Sequence, residues 1–477
     1  MKYILAIDGG SQSTKLIIFD THGNIICEES EPLRPMSLPK VGWVEHPDDD
    51  LWTSLVTASQ RLMERFEGDP SDIVGAGLCS IRFDRVILKK DGTLAQPALS
   101  WMDSRVSVPY VHDNPEAAYV TSTNGYLTRR LTGECRDTAA TYQGQWPIDT
   151  DTWEWSNDGK VMSHYNIPRE MLFDLVMPGE ILGYLTAEAA SILHLPKGLP
   201  IVATSNDKAV ESLGTGTIDY ENGMISLGTY ICGAVHGESN PKDCRNYWVN
   251  FACMPHKYLY ESNGIRRGMW LISWFKELLG EEVRMHAREL GIGPEQYLET
   301  LAADVAPGSD GLMIIPEWLA PAGQPYKKGI MLGFDVRHGA GHIYRAIMES
   351  IAMTMKNRMD EMCAELGITL KQITVSGGGS NSNLFMQIFA DVFGVPAVRN
   401  VVNGAAAVGA AICVAVAAGI YPDFGTAAKE MVRVKDITDP IPAHAGLYKK
   451  INEGIYSSLT SVTDGLMKRA YDIFDGN

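Results

Sequence analysis

Two apolar runs, YILAID (3–8) and TKLIIFD (14–20), flank a polar stretch rich in small residues. The turn-forming THGN (21–24) then leads into a third run, NIICEES (24–30). Short β-branched and apolar segments separated by turn residues predict three antiparallel strands at the start of the chain. A helix is predicted from about Pro47–Asp50, because LWTSLVTASQRLMERF (51–66) keeps an apolar face at helical spacing. IVGAGLCSI (73–81) and PIVATSN (200–206) read as buried strands, the second followed by the helical DKAVESLG (207–214). Strands alternating with helices indicate an α/β class.

The opening plan returns at Met224. MISLGTYICGAV (224–235) is again an apolar run, a Gly-Thr turn and an apolar run. Helical segments follow at GMWLISWFKELLG (268–280) and EEVRMHARELG (281–291). The strand ITVSGGG (373–379) then leads into the helix SNLFMQIFADVFG (382–394). The uncharged run Ala405–Tyr421 is short for a membrane span and rich in Ala and Gly, so it predicts a helix buried between layers. KKINEGIYSSLTSVTDGLMKRAYDIF (449–474) predicts a closing helix. The second half repeats the first half's order, and 477 residues exceed what one core organises. Two α/β domains across a cleft are expected, residues 1–220 and 221–477.

Charge narrows the partners. The formal net charge is -17, which argues against nucleic acid and anionic membranes, since both need a basic face. A nucleotide is not excluded, because backbone N–H groups and a metal ion can hold phosphates. The eight cysteines contain no CxxC pair and several sit in apolar runs, so they read as reduced thiols and the expected location is cytoplasmic. No export signal is visible. No structural zinc site is expected from the cysteines and histidines.

Asp8-Gly9-Gly10-Ser11-Gln12-Ser13-Thr14 is not a GxxxxGK[ST] loop and leads into a strand rather than a helix. Adjacent glycines let a backbone approach a ligand closely, and hydroxyl residues add donors, so this turn suits phosphate oxygens. Asp8, ending its strand, can hold Mg²⁺ directly or through water. A plain hairpin would need only two such residues.

Several motifs together resemble the FGGY carbohydrate kinases, the family of xylulokinase, glycerol kinase and gluconokinase. They are AIDGGSQSTKLIIFD (6–20), GWVEHPDDDLW (42–52), WMDSR (101–105), RLTGE (130–134), SNDKAVESLGTG (205–216) with SLGTY (226–230), and VSGGGSNSNLFMQIFADVFGVP (375–396). The resemblance runs from residue 3 to about 421. It implies two ribonuclease H-like domains of the actin-like ATPase architecture, each a mixed five-stranded sheet, with ATP and sugar meeting in the cleft.

The resemblance also implies roles. Asp207 would be the general base that takes the proton of the attacking sugar hydroxyl; position alone would favour a helix N-cap. Asp8 would be the Mg²⁺ residue. Gly9, Gly10, Ser11, Ser13 and Thr14 would line the β- and γ-phosphates, with Lys15 either reaching a phosphate or facing solvent. Gly228 and Thr229 would form the second phosphate hairpin. Gly377, Gly378, Gly379 and Asn383 would take the adenosine side. Trp101, Asp103, Arg105, Arg82 and Asp84 would serve the sugar.

Two departures affect the acceptor. Only residues 106–126 separate WMDSR from LTRRLTGE, fewer than most members have, and EWLAPAGQPYKKG stands where G-E-R-[TS]-P is common. The implied activity is ATP- and Mg²⁺-dependent phosphorylation of a primary hydroxyl of a small ketose or polyol. Pentuloses of the xylulose or ribulose type come first; tetruloses, glycerol and sugar acids follow. A glycerol- or tetritol-type kinase is the nearest alternative. An actin-like ATPase or nucleotide-dependent binding protein without sugar chemistry is the alternative from another class. The partner expected is a small molecule, and a homodimer is one assembly the family uses.

Overall fold

The computed structural model describes residues 1–321 and 323–475. Its frame is two mixed sheets. The first contains β1 (Tyr3–Gly9), β2 (Ser13–Asp20), β3 (Ile25–Pro32), β4 (Ile73–Ser80), β5 (Ile181–Tyr184) and β6 (Pro200–Asn206) in the order β3-β2-β1-β4-β6-β5. The second contains β7 (Asn222–Leu227), β8 (Ile231–Gly237), β9 (Tyr247–Phe251), β10 (Tyr258–Ser262), β11 (Gln372–Ser376), β12 (Ala397–Asn400) and β13 (Val434–Thr438) in the order β9-β10-β8-β7-β11-β12-β13.

The same five-strand unit lies in both. In each, a hairpin and a third antiparallel strand are followed by two strands that run parallel to the hairpin's first member. The sheets have six and seven strands rather than five, because β5 and β13 add antiparallel edges and β9 extends the far side of the second sheet. Both β1 faces are covered. Leu5 and Ile7 meet α1 (Asp50–Arg65) through Leu51, Leu55 and Leu62, while Ile4 and Ala6 face the layer between the sheets. This double burial is why YILAI reads as a continuous apolar run rather than an alternating one.

That middle layer holds two helices, each following the fifth strand of its own sheet: α3 (Asp207–Gly214), and α7 (Ala405–Ala417). Between α1 and α3 lies α2 (Thr123–Thr132); α4 (Gly268–Leu279), α5 (Ala340–Leu366) and α6 (Asn383–Phe393) precede α7. The uncharged run is thus a buried helix between layers, as its composition predicts. The two helices touch through glycine. A Cβ on Gly214 would lie 1.7 Å from the Ala405 carbonyl oxygen, and one on Gly409 would lie 2.0 Å from that of Val210. Small residues let the helices approach closely, and both N-termini then open on the same cleft.

The closing helix α8 (Ser457–Phe474) packs back through its first turn, where Tyr456 and Leu459 meet Ile315 and Met353; Val462, Leu466 and Phe474 are exposed. No helix among the described residues is long and apolar enough to cross a membrane. All eight cysteines are free, and Cys27, Cys135 and Cys244 are half-buried rather than core. His338 and His342 are four residues apart, but His338 precedes α5; their ring centroids are 5.2 Å apart, and His342 Nε2 lies 3.4 Å from Asp310.

Candidate active site

A cleft of about 490 Å³ opens between the sheets. Its lining includes Asp8, Gly10 and Ser11 from the first hairpin, Arg82, Phe83 and Trp101 beyond β4, and Asp207, Lys208 and Glu211 from α3. Thr229, Tyr230, Trp248, Arg266 and Leu319 close it from the second half, and Ala406 marks the start of α7.

The first hairpin is tighter than its polar stretch suggests. β1 runs through Gly9 and β2 begins at Ser13, so only Gly10, Ser11 and Gln12 turn, closed by Gly10 N–H donating to the Ser13 carbonyl at 3.0 Å. Gly9 is buried against β4. Thr14 is corrected: its side chain is buried against α1, where its Oγ1 lies 2.7 Å from Ser54 Oγ, and it does not line the cleft. Lys15, opposite Asp8 in the hairpin, pairs with Glu28 at 2.8 Å and lies beside Gly404 ahead of α7, outside the lining. Ser13 is likewise absent from the lining. The second hairpin has the same plan, with Leu227 opposite Ile231 and Gly228, Thr229 and Tyr230 turning. The Thr229 carbonyl accepts from Gly268 N–H at the start of α4, at 2.9 Å.

Asp207 is the first residue of α3, at the carboxyl end of β6. It is not the helix cap: Asn206 is, its Oδ1 accepting from Ala209 N–H at 3.2 Å. Asp207 Oδ1 accepts only from Lys208 N–H, at 2.9 Å. Burial raises its carboxyl above the usual range, against the pull of Lys208 and Arg82. Asp8 is pushed up to about 6, by burial first and by the Asp207 carboxylate second, although the Cys79 thiol donates to it at 3.5 Å.

The cations of the floor are already engaged. Lys208 Nζ donates to Glu211 at 2.9 Å and to Ser226 Oγ at 2.6 Å, so α3 is pinned to the second sheet; burial works against its charge, but Glu211 together with Cys232 and Asp207 raises it. Arg82 pairs with Glu261 of β10 at 2.5 and 2.8 Å, its guanidinium lying over Trp248 and Phe83. Among the described residues, Asp8 and Asp207 make no salt bridge. Two half-buried carboxylates in the lining without a cation in contact fit a divalent ion that completes its shell with phosphate and water. No cluster of three His, Cys, Asp or Glu side chains able to cage a metal occurs among the described residues.

Several acceptor-side expectations are corrected. Asp84 is buried outside the cleft, where it accepts from Thr123 N–H at 2.6 Å at the start of α2; burial pushes it up to about 7. Asp103 and Arg105 also lie outside the lining. They lock the WMDSR turn to GWVE: Asp103 accepts from Val44 N–H at 2.7 Å and from Arg105 Nε at 2.9 Å. Arg105 stacks over Trp43 at 3.6 Å and pairs with Glu45 at 2.6 Å. Trp101, in the same turn, lines the cleft and is 40% exposed.

The nucleotide-side glycines also lie outside the lining. Gly377 has φ +86°, and a Cβ there would meet the Leu227 carbonyl oxygen at 2.5 Å; Gly379 packs on Leu227 and Met269. Gly378 alone opens on free space. Asn383 Oδ1 accepts from Arg399 at 2.9 Å, so it is committed to that guanidinium. The sequence reading missed Phe83, Lys208, Glu211, Tyr230, Trp248, Glu261 and Arg266. A signal existed for Glu261, an acid inside the buried apolar run YLYES.

Comparison with known proteins adds three findings. The N-terminal domain model of the FGGY family of carbohydrate kinases matches residues 3–113, and the C-terminal domain model matches residues 223–418. The chain is 52% identical to the uncharacterized sugar kinase YgcE of Escherichia coli (strain K12), over 100% of this chain and 96% of that protein. It is 25% identical to a glycerol kinase of Deinococcus radiodurans, covering 88% of this chain and 90% of that one. Among solved structures, the fold matches a xylulose kinase and a gluconate kinase of Lactobacillus acidophilus. Each superposes at TM-score 0.84 and 18% identity; coverage is 97% of this chain and 98% of the xylulose kinase, and 98% and 99% for the gluconate kinase.

Proposed function

The chain belongs to the FGGY family of carbohydrate kinases and is a sugar kinase, and from that premise we propose that it transfers the γ-phosphate of ATP to a primary hydroxyl of a small ketose or polyol. A pentulose of the xylulose or ribulose type is the first choice of acceptor.

One observation carries the reading. Asp207, free of any capping duty, stands in the same cleft as the Gly10-Ser11 turn and the Thr229 turn. A carboxylate raised by burial is a better base than one in water, and phosphoryl transfer asks the protein mainly for positioning and charge balance. In this reading Asp207 takes the proton of the acceptor hydroxyl as its oxygen attacks phosphorus. The turns offer backbone N–H groups to phosphate oxygens, and the N-termini of α3 and α7 add partial positive charge. Asp8 would hold Mg²⁺, directly or through water. When bound, the ion would neutralise phosphate charge and orient the transferred group. Gly378, with free space above it, is the place for the nucleoside side. The aromatic walls Phe83, Trp101 and Trp248 exclude water from the acceptor, which favours transfer over hydrolysis.

Arg82 in the lining also favours a shorter acceptor, of the glycerol or tetritol kind, since its guanidinium sits close in against Phe83 and Trp248. The test is ADP release with Mg-ATP across ketoses, polyols and sugar acids, with turnover on glycerol compared with turnover on pentuloses. A sugar-dependent signal supports the proposal. ADP release that ignores every acceptor contradicts it.

A further inference from the structure

Arg82 and Glu261 come from opposite halves of the chain and meet at the edge of the cleft, Arg82 in its lining and Glu261 buried behind it. Glu261 is fully buried, and the Arg82 side chain is only 12% exposed. Glu261 Oε1 accepts from Arg82 Nη1 at 2.5 Å and from Asn250 Nδ2 at 2.8 Å; Oε2 accepts from Arg82 Nη2 at 2.8 Å. Asn250 in turn bonds Asn206, the residue before Asp207. The guanidinium plane is closed off by Trp248 at 4.7 Å and Phe83 at 5.1 Å. Arg82 therefore meets a ligand as half of a neutral pair, with its charge already matched.

We propose that Glu261 is a specificity-determining residue that reserves the acceptor pocket for uncharged polyhydroxyl compounds and turns away sugar acids of the same length. The proposal rests on the kinase reading and narrows its acceptor class. Arg82 presents to the cleft a guanidinium whose charge Glu261 already matches from behind, which suits the oxygens of neighbouring hydroxyls or of a hydroxyl beside a ketone. A carboxylate in the same place would meet a guanidinium whose charge Glu261 already matches, and the Asp207 carboxyl shares the lining with it. The remaining cations do not rescue it. Lys208 is held by Glu211 and Ser226. Arg266 is exposed at the mouth and donates to the Ala320 carbonyl at 2.8 Å, where water and salt screen its charge. The rejection is built from an unpaired like charge rather than from lost contacts.

The experiment reads binding apart from turnover. Trp101 and Trp248 line the cleft, so intrinsic fluorescence of the full chain without nucleotide reports occupancy. The probes are xylulose, xylitol and glycerol against xylonate and glycerate. The wild-type protein should bind the neutral member of a matched pair at least about tenfold tighter than the acid. E261Q should shift that ratio toward the acid by about tenfold. R82Q/E261Q removes both charges together and leaves no buried ion unpaired; it should lose discrimination in the same direction, which covers the case in which E261Q does not fold. A wild-type protein that binds the acid as tightly as its neutral partner overturns the proposal, as does acid binding that R266A abolishes. An E261Q ratio equal to wild type, or no response to any probe, also overturns it. ADP release measured alongside separates the two readings. Selective binding without sugar-dependent ADP release sinks the kinase reading alone, and ADP release led by an acid sinks this proposal alone.

Discussion

Arg82 and Glu261 form a two-point ion pair that joins the loop after β4 to β10 of the second sheet, 179 residues apart in the chain. Arg82 lines the cleft, Glu261 is buried behind it, and the pair is a strut between the halves. Each partner is buried, so removing one alone strands the other. E261A should cost about 3–5 kcal/mol of stability in urea unfolding, whereas R82M/E261L should recover most of that while losing acceptor binding. Equal costs for the single and double variants would show that the pair is not what holds these strands together.

The α3–α7 contact depends on the absence of two methyl groups. G214A and G409A each drive a Cβ into a backbone carbonyl oxygen, at 1.7 and 2.0 Å, and backbone cannot swing away as a side chain can. Each should lower stability by about 1–3 kcal/mol or more, read from the urea midpoint. Because both helices begin at the cleft, ATP affinity should fall with them. A G409A protein of unchanged midpoint would contradict the packing argument.

Arg105 lies outside the cleft lining and holds the turn that carries Trp101. R105A removes its stacking on Trp43 and its bonds to Asp103 and Glu45. Acceptor KM should rise about tenfold while kcat and ATP KM stay within about twofold, since looser orientation of one wall weakens ground-state and transition-state binding alike. A large loss of kcat at unchanged KM would assign Arg105 a direct part in the chemistry.

Asp84 makes stability depend on pH. Its folded carboxyl is pushed up to about 7 by burial, from an ordinary value of 3.8, and its Oδ1 is buried without a partner, as suits a protonated oxygen. The folded protein therefore holds this proton more tightly than the unfolded chain. The contribution is fully present below about 4, is lost as pH rises toward 7, and is level above that. D84N keeps a carbonyl oxygen for Thr123 and has no proton to lose. The thermal midpoint of D84N relative to wild type should climb between pH 5 and 7.5. A constant difference across that range would contradict the assignment.

Much of this was legible along the chain because it is local. The hairpins, the strand before Asp207 and the buried Ala-rich helix follow from runs of apolar or small residues, and Asp207 follows from a strand ending at a helix start. The errors came from direction and from distance. Thr14 and Ser11 are both small hydroxyl residues in one polar stretch. Only the hairpin register, with Thr14 opposite Gly9, turns Thr14 toward α1 and leaves Ser11 at the tip. Asp84 lies two residues from Arg82, but it turns into the first half to hold α2 while Arg82 turns out to the second sheet. Glu261 and Trp248 sit on neighbouring strands of that sheet, and nothing nearby in sequence connects them to Arg82.

The most direct measurement is sugar-dependent ADP release by wild-type protein and by D207N under identical Mg-ATP and acceptor concentrations. The substitution keeps the side chain's shape and the Lys208 contact but removes the carboxylate proposed as the base. The account predicts a fall of about 10²–10⁴-fold in the sugar-dependent rate, with ATP affinity and thermal stability retained. A D207N enzyme that phosphorylates its acceptor at near wild-type rate would contradict it.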